Sequence, residues 1–126
     1  ELKETAPKMA IELGMCSEFV LGLHGEVTFD GVRLAGLYPH DQVKMAEAVG
    51  ADIFGPAVNV KASKSTPWNL ARAVTFVKET VAVADIPVHP NVGMGVCGVP
   101  MFEVPPVDAV TRASKSLVQI GKADGL

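Results

Sequence analysis

Cysteine is scarce: the 126 residues contain two, Cys16 and Cys97, in no C-x-x-C arrangement. So sparse a pair argues against a disulfide-stapled secreted scaffold and fits a reduced, cytoplasmic compartment. A basic surplus is also missing, with 11 Lys and Arg against 14 Asp and Glu and a formal charge of −3. Nucleic acid is therefore not an expected partner, because phosphate binding calls for a basic stripe. No apolar run approaches the ~20 residues that a membrane helix requires. What is present, 48% hydrophobic and 20% charged residues, is enough for one buried core.

The stretch 86–98 (IPVHPNVGMGVCG) reads as a short apolar strand that discharges into a glycine-rich loop. Gly93, Gly95 and Gly98 spell G-x-G-x-x-G, the outline of a dinucleotide site. That fingerprint needs its last glycine in the first turn of a helix, where free N–H groups receive pyrophosphate. Pro100, Pro105 and Pro106 follow instead, and proline both lacks the donor and steers the preceding residue away from helix. The ribose-binding carboxylate about 20 residues further on is missing as well. The nucleotide reading fails.

Strands and helices alternate along the chain. Residues 1–7 are polar and end a helix or linker, and residues 9–15 form an apolar run of strand length. Residues 16–37 are a glycine-rich excursion with a tight turn at Phe29-Asp30-Gly31-Val32, where Asp-Gly tolerates positive φ. Pro39 opens a helix to Val49 and Gly50 stops it. Residues 51–60 hold a second strand, interrupted by Gly55-Pro56. Thr66 caps a helix from Pro67 whose inner face is Leu70, Ala73, Val74, Val77, Val81 and Ala84. A third strand spans 86–92. A third helix spans 105–120, with Val110, Ala113, Leu117 and Ile120 inside and Gly121 as its stop. This alternation predicts parallel strands with every strand-to-helix loop on one rim. Residues 50–53 (GADI) and 121–126 (GKADGL) share one grammar, so a fourth strand is expected to begin at Leu126. With Glu1 in place of an initiating methionine, the reading is of a single piece, 1–126, of a longer domain.

In parallel sheets chemistry collects at the carboxyl ends of strands. That rule nominates Cys16 and Glu18 after the first strand, Asn59 after the second, and Asn91 with Met94 after the third. Cys16, Cys97 and His89 share that rim and offer zinc-type donors. A thiol, however, commonly behaves as a small buried hydrophobe, and His89 between prolines reads as a hydrogen-bonded core histidine, so no metal site is expected. Glu12 reads as facing solvent or a lysine. Glu18 is balanced between a pocket acid, tuned by burial or holding a cation, and a surface group. His24 and His40 read as surface or capping groups.

Several blocks are long and unusual: LGLHG at 21–25 running on to DGVRLAGLYPH at 30–40, and STPWNLARAVTF at 65–76. They continue through GMGV at 93–96, Pro100-Met101, Pro105-Pro106 and DAV at 108–110 to RASK at 112–115. Together they resemble the dimethylamine:corrinoid methyltransferases of methylotrophic methanogens, over nearly the whole chain. The resemblance implies an α/β fold, a (β/α)8 TIM barrel, of which this chain supplies three βα units and the start of a fourth strand; a whole barrel takes roughly 250 residues. It implies transfer of a methyl group from dimethylamine to the Co(I) corrinoid of a cognate partner protein, with no cofactor bound directly, in methanogenesis from methylamines. It also implies a homo-oligomeric parent and a pyrrolysine immediately after Leu126, so that no catalytic residue lies in 1–126 and the piece alone is expected to be inactive. The pyrrolysine imine takes up the amine and orients its methyl group for attack by Co(I), while the protein supplies positioning. Glu18, Asn59, Asn91 and Met94 are the substrate-pocket candidates, on strand topology. Cys97 stands where the family suggests glycine and Asn91 where it suggests aspartate, so no carboxylate role is assigned at 91. The alternatives are a zinc-dependent methanol:corrinoid methyltransferase-like barrel and a non-enzymatic half-barrel that pairs its open edges with another chain.

Overall fold

A computed structural model describes residues 1–16, 26, 28–34, 37–57, 67–90 and 106–126. Its elements, in chain order, are α1 (Leu2–Thr5), β1 (Glu12–Cys16), β2 (Thr28–Phe29), β3 (Val32–Arg33), α2 (Pro39–Ala48), β4 (Ile53–Ala57), α3 (Pro67–Val83) and α4 (Val107–Gln119). The chain is a mixed α/β structure with a parallel pairing at its centre.

β1 and β4 run parallel, from Glu12 opposite Ile53 to Cys16 opposite Ala57. Residue 88 adds the next position through a parallel bridge between Phe54 and Val88. The expected break at Gly55-Pro56 does not occur, and β4 continues through both residues. Both backbone groups of Phe54 face the third segment: its N–H donates to the Pro87 carbonyl at 2.9 Å and its carbonyl accepts from the His89 N–H at 2.8 Å. Backbone groups alternate sides along a strand, so Pro56, two residues on, also faces that segment, and its missing N–H breaks no bond to β1. The same proline explains a second departure. The strand expected over 86–92 is reduced to a single bridge among the described residues, because the next donor to the His89 carbonyl would have been the N–H that Pro56 lacks.

The chain returns to the sheet twice by the same device. The Asp52 N–H donates to the Ile11 carbonyl at 2.9 Å, and Asp52 Oδ2 accepts the Ile11 N–H at 2.7 Å. The Asp124 N–H donates to the Val88 carbonyl at 3.1 Å, and Asp124 Oδ2 accepts the Val88 N–H at 2.8 Å. Each aspartate thus satisfies both backbone groups of one residue on the preceding strand. Asp124 therefore lies beside Val88 as Asp52 lies beside Ile11, and the segment containing Leu126 enters next to the third one.

The helices form where local chemistry asks for them. Pro39 occupies the first position of α2, after Tyr38 as N-cap, and Gly50 follows the helix at φ +83°, a value that costs an L-residue with a Cβ. α4 begins at Val107 rather than at Pro105, with Pro106 extended at φ −56°, ψ 145°; a residue before proline avoids the helical region, so the helix opens after the second proline. Between β2 and β3, Asp30 (φ 48°) and Gly31 (φ 77°) make the two-residue turn of an antiparallel hairpin.

One face of the sheet carries the core. Phe54 is fully buried with Met15, Leu34, Val43 and Ala46 under α2, while Ala73, Val77, Val88 and Leu117 join α3 to α4. The expected stripe on α3 is right at Ala73 and Val77, and it also includes Thr80, which is fully buried. The Thr80 hydroxyl donates to the Phe76 carbonyl at 2.6 Å, which lets a polar side chain occupy an apolar position. Ile120, expected inside, is 58% exposed. Gly121 takes the inner place: a Cβ there would stand 2.6 Å from the Leu117 carbonyl oxygen and 3.1 Å from Val77 Cγ1. Close approach, not handedness, demands that glycine, and the left-handed residue of this turn is Lys122 at φ 62°.

Two outcomes follow for stability. Phe54→Ala removes the largest fully buried side chain among the described residues and is expected to cost about 3–5 kcal/mol in chemical denaturation. The Lys3 ammonium, 2.5 Å from Asp52, and then the Ile11 N–H hold the Asp52 carboxyl below the usual carboxylate range. A carboxyl lowered on folding contributes stability in full above its unfolded pKa, and loses it as pH falls through the folded value. Asp52→Asn should therefore lower the melting temperature at neutral pH, and its gap to wild type should close as pH drops below about 4, measured by circular dichroism across a pH series.

Candidate functional site

The four pocket candidates, Glu18, Asn59, Asn91 and Met94, lie outside the described residues, as do His24 and Cys97. At the rim the described backbone reaches Cys16 on β1 and Ala57 on β4. Among the described residues no group of three or more His, Cys, Asp and Glu is placed to hold a metal ion, and no helix is long and apolar enough to cross a membrane.

The described chemistry sits instead on the face of the sheet turned away from the helices. Side chains alternate along a strand. Leu13, Met15, Phe54 and Val88 pack into the helical core, so Glu12 and Gly14 on β1, Gly55 on β4 and His89 on the third segment share the opposite face. On that face His89 Nδ1 lies 3.7 Å from Glu12 Oε2, with side chains 37% and 46% exposed. Glu12 is exposed to solvent, as expected, and the side chain beside it is a histidine rather than a lysine. The reading of His89 is corrected, since it belongs to an open face rather than to the core. The phase of the two strands, each polar residue adjoining a buried one, is the sequence signal that would have joined them.

Glycines make room for this pair. A Cβ at Gly55 would stand 2.9 Å from Glu12 Oε1 and 3.4 Å from Gly14 Cα. A Cβ at Gly125 would stand 2.7 Å from His89 Nε2 and overlap the ring carbon beside it. The carboxylate thus lies across one glycine and the imidazole across another, and the pair ties β1 and the third segment together over β4. Such a contact is an ion pair only when the histidine is protonated, and at this exposure it contributes at most about 1 kcal/mol. Chemically the arrangement is a carboxylate beside an imidazole, its Oε2 3.7 Å from Nδ1 and so beyond hydrogen-bond length.

His40 is the second described histidine, in the first turn of α2. Of the two expectations for it, surface or capping group, the first fits its 37% exposed side chain, while no side-chain bond caps the helix. The His40 ring stacks on Tyr38 with centroids 5.7 Å apart and planes 14° apart. Tyr38 in turn meets Phe76 at 5.6 Å, and the Arg72 guanidinium lies 5.7 Å over the Phe76 ring. This row joins the N-terminal end of α2 to α3 on the outer surface and reads as packing with a cation–π end.

The pair depends on the glycine under it. Gly55→Ala is expected to displace the Glu12 carboxylate and to change the His89 side-chain NMR resonances in the same direction as Glu12→Gln, with the far-UV circular dichroism unchanged.

The family model described as dimethylamine methyltransferase (Dimeth_PyL) matches residues 1–126. No solved structure matches the chain.

Proposed function

Because the chain belongs to the dimethylamine methyltransferase family over its whole length, we propose that the protein it forms moves one methyl group from dimethylamine to the Co(I) corrinoid of a partner protein, releasing methylamine. The full-length family match is the observation that carries this reading. The structure supports it in one respect: β1, β4, residue 88 and Asp124 follow one another across the sheet in chain order, with helices on one face, as consecutive units of a (β/α)8 barrel would.

In this reading the face opposite the helices is the barrel interior, and the rim above it receives the substrate. Glu18, Asn59, Asn91 and Met94 line the pocket at the carboxyl ends of the strands. The electrophile is a pyrrolysine that follows Leu126, on the strand that Asp124 sets in register against Val88. The corrinoid is a substrate brought by its own carrier protein, and it supplies the nucleophilic cobalt. The residues of this chain bind and orient the amine, where alignment alone can supply several kcal/mol, about 7–11 for ideally placed reactants. Residues 1–126 by themselves hold the scaffold without the electrophile and are inactive. The active protein is a cytoplasmic homo-oligomer.

Purified protein, mixed with its corrinoid carrier reduced to Co(I), should convert dimethylamine to methylamine with matching loss of the Co(I) absorbance. Methylamine absent in the presence of Co(I), or equal transfer from methanol, would refute the assignment. Peptide mass spectrometry across the position after Leu126 should find pyrrolysine; an ordinary residue there would remove the proposed electrophile.

A further inference from the structure

We propose that copies of this chain join head to tail, the turn after α4 of one entering the groove between the β2–β3 hairpin and α2 of the next. That copies associate at all rests on the proposed function; which surfaces meet rests on the geometry.

The groove has a volume of about 310 Å³. Phe29, Leu34, Leu37 and Met45 give it an apolar floor, and the exposed residues Asp30 and Asp41 add two carboxylates to its lining. Val32, 54% exposed, lines it on the hairpin side. No Lys, Arg or His is among the described residues that line it. An apolar cleft with two negative charges and no positive one is complementary to an apolar side chain beside a cation.

The turn after α4 offers that combination. Ile120 is 58% exposed, and Lys122, across the buried Gly121, is exposed and has no ion pair among the described residues. The backbone holds both in place. The Ile120 and Gly121 N–H groups donate to the Ser116 carbonyl at 2.9 and 3.2 Å, and the Ala123 N–H donates to the Leu117 carbonyl at 3.1 Å. A turn so fixed loses little freedom when it docks.

A molecule cannot fill its own groove. α3 packs against both α2 and α4. On α2, Lys44 and Glu47 face the end of α3, where they bond the Asp85 carboxylate and N–H. Asp41 and Met45 lie on the other flank and line the groove. The order is therefore hairpin, α2, α3, α4, with the groove at one end and the turn at the other. A contact between two different patches is heterologous, and it builds a ring or an open chain rather than a closed pair.

Sedimentation velocity on the purified protein should show species larger than a dimer as concentration rises. Ile120→Asp spoils the turn and Val32→Asp spoils the groove. Both side chains are more than half exposed, so each variant should keep the wild-type far-UV circular dichroism and sediment as a monomer. Mixed in equal amounts, the two should form dimers that grow no further, because each mixed pair retains one intact groove and one intact turn. Charge supplies a second arm. Asp41→Lys and Lys122→Asp should each weaken association by about tenfold or more, as like charges brought together do, and the doubly substituted chain should recover most of it. If Val32→Asp does not fold, Asp41→Lys takes its place in the mixture. A wild type that stays monomeric or stops at a dimer, a variant that assembles like the wild type, or a mixture that stays monomeric would overturn the proposal. The methyl-transfer assay keeps the two ideas apart. Turnover by a protein that fails these tests refutes the contact and leaves the function standing; head-to-tail assembly without turnover does the reverse.

Discussion

Two aspartates hold the sheet in register, and most of the structure follows from them. Asp52 and Asp124 each close a pair of hydrogen bonds with one residue of the preceding strand, Ile11 and Val88 respectively. A carboxylate accepting a backbone N–H forms one of the stronger hydrogen bonds available, and pairing it with a backbone bond leaves one alignment of the two segments. A slip of one residue would exchange the two faces of the strand. Phe54 would leave the core and Gly55 would enter it. The clamp therefore decides which side chains face the helices and which face the other way.

Proline and glycine then divide the work on that sheet. Pro56 removes the rung that would have extended the third segment's pairing and leaves the β1 pairing intact, because its missing N–H faces away from β1. Gly55 and Gly125 clear the face on which Glu12 and His89 meet, and Gly121 lets the chain pass against Leu117 and Val77 at the end of α4. Each of these glycines is needed for proximity. Gly31 and Gly50, at φ 77° and 83°, serve the different purpose of reversing the chain. Ion pairs at the base add to this frame: Lys44 reaches Glu47 at 2.9 Å and Asp85 at 3.2 Å, so the end of α2 is fastened to the start of the third segment. The hydrogen bond to Glu47, and then that to Asp85, raises the Lys44 pKa.

The family assignment and the geometry bear on different parts of the molecule. The match spans residues 1–126 and identifies a methyltransferase lineage. The clearest described chemistry, Glu12 with His89, is on the helix-free face, while Glu18, Asn59, Asn91 and Met94 lie outside the described residues. Sequence reasoning went to the rim because that is where parallel sheets concentrate function, and it passed over the helix-free face because Glu12 and His89 each had an ordinary explanation when read alone.

What the sequence determined by itself was local. The helices starting near Pro39, Pro67 and Pro106, the hairpin turn at Asp30-Gly31, the stop at Gly50 and the parallel α/β alternation all arise from a missing N–H, an allowed φ or a 3.6-residue period. Such features need no distant partner. The tertiary structure decided whatever depends on two segments meeting. It carried β4 through Gly55-Pro56, because the strand's register decides which side of the sheet a missing donor affects. It buried Thr80 and turned Ile120 outward, because the path of the chain over Leu117 left room for a glycine and nothing larger. It brought Glu12 to His89 across Gly55, because side-chain partners on a sheet are chosen by register and facing, and no spacing within either strand encodes them.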